Sequence, residues 1–175
     1  MLKWINVFGV LLQIVAFVYF YKMLKTNITY FKTNLNTTTK SIYILVLFSL
    51  FFKISTQLLN LMPDLFEVSH QIRNLVIGFI HLTTLGIITG ILFGVLIENK
   101  VLDHKSKILS YGIKIFSLGY ILNEVLLFLQ GGFFYLGIGK ISGYFEGLFI
   151  SGFLIVISII LIMIMILNTK QEPIP

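Results

Sequence analysis

Residues 143–168 read GYFEGLFISGFLIVISIILIMIMILN, and a single charged side chain, Glu146, stands among them. A helix of that length extends about 39 Å at 1.5 Å per residue. About 20 mostly apolar residues are enough to cross the roughly 30 Å hydrocarbon core of a bilayer. Water solvates such a surface poorly, and a bilayer solvates it well. Working back toward the N-terminus, residues 107–130, 73–97, 41–62 and 3–24 have the same character. The expected fold class is therefore all-α: a polytopic membrane bundle of five transmembrane helices, forming one membrane domain over residues 1–175.

Composition supports this reading. The chain is 57% hydrophobic and 11% charged, whereas soluble domains carry roughly 25% charged residues. A sizeable soluble domain is excluded, because the spans use most of the residues. The net charge of +6 is not expected to serve nucleic acid. The lysines lie in short connections, without a basic run or a stripe of interleaved aromatics. The absence of cysteine removes disulfides, zinc–thiolate sites, iron–sulfur clusters and covalent heme attachment. Of thirteen basic residues only Arg73 is arginine, and Ile, Phe and Asn are frequent. That bias suggests an AT-rich genome, and the expected location is a bacterial inner membrane. The first segment, MLKWINVFGVLLQIVAFVYFYKMLK, has no small-x-small site, and Tyr19, Phe20 and Tyr21 occupy the place of cleavage. It reads as a retained helix.

The connections carry the topological signal. KTNITYFKTNLNTTTK (25–40) reads as a polar loop. Pro63-Asp64 stops one helix before the next. GGFFYLGIGKIS (131–142) suits a hairpin in the membrane interface. Eight lysines (22, 25, 32, 40, 100, 105, 107 and 170) fall on one side, against Lys3, Arg73 and Lys140 on the other. The lysine-rich side is expected in the cytoplasm, with the N-terminus out and the C-terminus in.

Glycine recurs every fourth residue at Gly86, Gly90 and Gly94, and again at Gly139, Gly143 and Gly147, followed by Ser151. Such ridges let helices approach closely in lipid. The expected use is packing within the bundle. The alternative is a homo-oligomer or a membrane-protein partner.

The polar residues inside the spans are the candidate site. Lys53, Gln57 and Asn60, with Asp64 just beyond, follow steps that keep them on one helical face. With the orientation above, Lys53 lies about 13 Å below the outer end of its span, His81 about 12 Å and Glu124 about 9 Å. Three helices thus bring ionisable groups to similar depth in the outer half. A charge placed there costs roughly 2.5–3.5 kcal/mol on insertion scales. Such groups face the interior and pair, and Lys53 with Glu124 is the expected pair, with His81 beside it. The cluster could be a proton relay, a site for a small polar ligand, or a structural ion pair that holds three helices in register. Glu146 is expected at headgroup level, and Lys114 to snorkel. Ser110, Ser117 and Glu124 share a face through their spacing of seven.

No complete cofactor or catalytic signature accompanies the cluster. His81 is the one histidine within a span, while His70 and His104 fall in connections on opposite sides. No cofactor or metal is expected, and heme at His81 is the alternative. There is no phosphate loop, no HExxH and no nucleophile triad.

FKISTQLLNLMPDLFEVSH, RNLVIGFIHLTTLGIITG and YILNEVLLFLQGG together resemble a block arrangement of uncharacterised multispanning bacterial membrane proteins. The HLTTLG helix (81–86) is similar to helices of the catalytic subunits of heme-copper oxidases and nitric-oxide reductases. The resemblance covers roughly residues 52–131 and implies a bundle descended from, or forming part of, such a subunit. Those subunits hold hemes and a metal with several histidines, and His81 alone can be matched to one of them. Heme and oxygen chemistry therefore do not carry over. The resulting expectation is a non-enzymatic accessory or small transport-like protein, with Lys53, Gln57, Asn60, His81 and Glu124 as ligand or relay candidates. The alternative is a heme-binding redox protein using His81.

Overall fold

The computed structural model of the chain describes residues 2–59, 72–103 and 105–169. Among these residues six helices follow one another: α1 (Leu2–Thr26), the short α2 (Ile28–Asn34), α3 (Thr37–Leu59), α4 (Arg73–Glu98), α5 (Lys107–Tyr135) and α6 (Tyr144–Thr169). Among the described residues the fold is all-helical, and five helices are long and apolar enough to cross a membrane.

Several boundaries differ from those read in the sequence, each for a local reason. The 25–40 segment is not a simple loop, since α2 occupies its middle. Helix α3 starts at Thr37 rather than residue 41, because Asn36 caps it. The Asn36 Oδ1 accepts from the Thr39 N–H at 2.8 Å and the Thr39 hydroxyl at 3.1 Å. The expected end of this span at residue 62, with Asn60, Pro63 and Asp64, lies outside the described residues. Helix α5 continues past residue 130 to Tyr135, so the first half of the expected interfacial hairpin is helical. It stops where Gly137 takes φ 69°. Ile138 N–H then donates to Phe133 O and Gly137 N–H to Phe134 O, the crossed pair of a Schellman stop.

Helix α4 holds a feature not expected from sequence: residues Leu82–Ile88 form a π-helical segment between α-helical Arg73–His81 and Thr89–Glu98. The helix changes partner across it. The Arg73–His81 part packs on α5, whereas the π segment and the part after it pack on α3. The ridge of Gly86, Gly90 and Gly94 is spent on that second contact. A Cβ at Gly90 would run into the Val46 side chain at 2.5 Å, and one at Gly94 into the Tyr43 ring at 2.6 Å. The second ridge is not one. Gly139 and Gly143 lie in the connection before α6 with φ 96° and 74°, and nothing lies within 4 Å of a Cβ built on either.

The most extensive helix contact is that of α5 with α6. Its seam pairs Gly119 with Ser151 and Gly112 with Ser158. A Cβ on Gly119 would come 2.9 Å from the Ser151 carbonyl oxygen, and one on Gly112 3.4 Å from that of Ser158. Both serines are fully buried. Small residues two turns apart on facing helices give the van der Waals contact that holds apolar helices together where hydrophobic driving force is absent. Apolar side chains of α3, α4, α5 and α6 fill the space around it, among them Ile42, Ile97, Leu109, Ile113 and Ile162. Helix α1 is peripheral. Its Val10 is buried, but Phe8, Leu11 and Val15 are exposed.

Candidate functional site

The site begins at Gly78 on α4. A Cβ there would stand 2.9 Å from the ring of Phe128 on α5. With glycine in place the two helices close up. His81, three residues on, is carried against the face of α5 that presents Asn123 and Glu124. His81 Nδ1 lies 2.9 Å from Asn123 Nδ2 and 3.5 Å from Glu124 Oε1. Asn123 Oδ1 in turn lies 3.2 Å from the Ser151 hydroxyl of α6, which shares its single proton with Leu148 O at 2.9 Å. One asparagine thus joins α4 to α6 through α5.

Glu124 is the unusual member. Its side chain is 8% exposed, and both carboxyl oxygens are buried without a hydrogen-bond partner among the described residues. A carboxylate removed from water normally collects donors or a close cation. Here its nearest ionisable neighbour is an imidazole just beyond hydrogen-bond length. The ring of His81 is only partly buried, with 32% of the side chain exposed.

A second polar contact lies one turn away along α5. Tyr120 is 1% exposed, and its hydroxyl lies 2.7 Å from Ser49 Oγ of α3. Ser49 spends its single proton on Leu45 O at 2.8 Å, so Tyr120 is the donor in the pair. Gly86 makes room for both, since a Cβ there would overlap the Tyr120 and Ser49 hydroxyls. The π segment places this glycine opposite α3, while His81 just before it meets α5. Single-turn π geometry is frequent at functional sites.

Of the candidate residues, the structure brings together His81 and Glu124. It does not form the expected Lys53–Glu124 pair. The Lys53 ammonium lies 5.6 Å above the ring of Phe79, a cation–π distance, and the residue lines a small cavity of about 190 Å³ shared with Gln13 and Phe17 of α1. Gln57 is half-buried, with its Oε1 lacking a partner among the described residues. Matched depth had suggested one cluster. Depth fixes height along the bundle normal and leaves the direction around each helix open, and Lys53 faces the α1 side. Asn60 lies outside the described residues. Lys114 is exposed over the Tyr111 ring and Glu146 is exposed in the first turn of α6.

Ser49, Tyr120 and Asn123 of the polar core were not singled out by sequence, and Ser151 was named only as the residue that follows the second glycine ridge. Tyr120 and Glu124 are four apart and Asn123 adjoins Glu124, so a polar face on α5 was visible. Nothing in the spacing pointed to their partners on α3 and α6. Among the described residues no group of three or more metal-ligand side chains occurs. No protein-family model matches the chain, and comparison with curated proteins and solved structures found no match either.

Proposed function

We propose that this chain is a non-enzymatic, multi-pass membrane protein, a small transport-like bundle in which His81 and Glu124 pass a proton at the meeting point of α4, α5 and α6. The single observation that supports this is the Glu124 carboxyl, buried with no donor on either oxygen and 3.5 Å from His81 Nδ1. A proton shared by the pair is the simplest occupant of that gap. Ionisable groups inside spans mark relays and ion pathways more often than they serve stability alone. The imidazole is the more exposed side of the pair. The lysine asymmetry of the sequence supports the N-terminus outside and the C-terminus in the cytoplasm of a bacterial inner membrane. In that orientation the pair stands in the outer half.

The test is proton flux in proteoliposomes containing a trapped pH-sensitive dye, driven by a potassium diffusion potential. The wild type should conduct above protein-free vesicles, and Glu124→Gln should return flux to their level. A wild type no leakier than empty vesicles would overturn the relay and leave an accessory role. Cysteine labelling checks the orientation: an impermeant reagent outside should reach Ser142→Cys and miss Ser106→Cys.

One observation favours the second reading, a heme ligand at His81. A ligating histidine usually has its other ring N–H held by a polar neighbour, and the Asn123 amide stands 2.9 Å from His81 Nδ1, so iron at Nε2 would need the ring proton on Nδ1. His81 is not among the lining residues of the cavities of about 770 Å³ and about 190 Å³. A Soret band in the purified wild type, lost in His81→Ala, would reverse that order.

A further inference from the structure

A cavity of about 770 Å³ lies between α1, α2, α3 and α4, and His81 is not among its lining residues. That is within the roughly 300–1,000 Å³ usual for ligand pockets. Its walls are graded. Lys40 and Leu47 line it from α3, Glu98 and Ile91 from α4, and Asn27 and Phe20 from the end of α1. In each pair the polar residue stands at the helix end and the apolar one seven positions deeper, about 10 Å away at 1.5 Å per residue. Three independent segments therefore build a polar mouth above an apolar shaft. Helix α2 contributes Ile28 and Phe31 to the same walls. At the mouth, the Tyr43 hydroxyl donates to Glu98 Oε1 at 3.0 Å and fixes the carboxylate in place.

We propose that this cavity holds one amine-bearing zwitterionic phospholipid of the phosphatidylethanolamine class, its headgroup at Glu98 and Lys40 and an acyl chain running down past Leu47 and Ile91. The depth gradient selects an amphiphile over a water-soluble ion, which would leave the shaft unfilled. The charges at the mouth choose the headgroup. Glu98 offers acceptor oxygens to an ammonium that carries N–H donors, and Lys40 brings positive charge to the phosphate. An anionic phosphatidylglycerol headgroup is opposed by Glu98. A choline headgroup has the positive charge but no N–H to donate. Lipid tails are as apolar as leucine, so transfer of the chain from bilayer to cavity contributes little. Discrimination among lipids falls to the headgroup.

The test is native mass spectrometry of the full chain released from nanodiscs containing equal phosphatidylethanolamine, phosphatidylcholine and phosphatidylglycerol. The wild type should retain one phosphatidylethanolamine in preference to either competitor by about tenfold, the scale of one charge-assisted contact. Glu98→Gln should abolish the preference, and Leu47→Trp, which fills the shaft, should abolish retention. Because Leu47→Trp could disturb folding, a second arm uses the wild type alone. Phosphatidylethanolamine with a diazirine in mid-chain should cross-link to peptides containing Phe20, Leu47 or Ile91. Equal retention of the three lipids, no retained lipid, or cross-links concentrated on α5 and α6 would overturn the proposal.

Discussion

Gly78 and Phe128 set the distance between His81 and Glu124. The glycine has no side chain to hold α4 off the Phe128 ring, so α4 lies close enough to α5 for His81 Nδ1 to come within 3.5 Å of Glu124 Oε1. A residue with no chemistry of its own thus places the two that have it. Gly86 does the same one step further along α4, where its missing Cβ admits the Tyr120–Ser49 contact.

If His81 is the partner of Glu124, the two should couple and Lys53 should not. In thermal or denaturant unfolding in detergent, Glu124→Gln and His81→Leu should be non-additive by more than about 0.5 kcal/mol. Glu124→Gln and Lys53→Met should add to within about 0.5 kcal/mol, since their side chains meet no shared partner. Coupling of the Lys53 cycle with additivity in the His81 cycle would return the ion pair expected from sequence depth.

The α5–α6 seam predicts a sharp contrast between two glycines. Gly119→Leu forces a side chain into the Ser151 backbone and should cost about 3 kcal/mol or more, beyond ordinary overpacking. Gly9→Leu on α1 meets open space within 4 Å and should leave the melting temperature unchanged. Equal effects of the two substitutions would mean that α5 and α6 do not meet through this face.

Gln130 closes the connection between α5 and α6. It is fully buried, its Nε2 donates to Gly139 O at 3.0 Å, and its Oε1 accepts from Ile141 N–H at 2.8 Å. Gln130→Leu leaves both backbone groups without this partner and should destabilise by about 1–3 kcal/mol. Hydrogen exchange at the Ile141 amide should speed up while the amides of α3 keep their protection. An unchanged Ile141 rate would show that the loop is held by other contacts.

Lys100 ends α4 with φ 59°, a left-handed conformation that a side chain resists. Its N–H donates to Ile97 O and the Val101 N–H to Leu96 O, the same crossed stop that Gly137 makes after α5. Lys100→Gly should therefore stabilise the fold by about 1 kcal/mol, seen as a higher melting temperature.

The apolar runs by themselves determined that the chain is helical, and that five helices are of membrane-spanning length. Backbone groups in lipid must be satisfied within the segment, and hydropathy reads that requirement locally. The sequence also marked His81 and Glu124, because an ionisable residue among leucines is conspicuous without any knowledge of its neighbours. It passed over Gly112 and Gly119, where the α5–α6 seam lies. The π segment after His81, the turn of Lys53 toward α1, and the meeting of Asn123 with Ser151 were decided only by tertiary structure. Each depends on the direction a side chain takes around its helix axis once helices pack. That angle follows from where a missing Cβ lets two backbones touch, and depth along the helix carries no record of it.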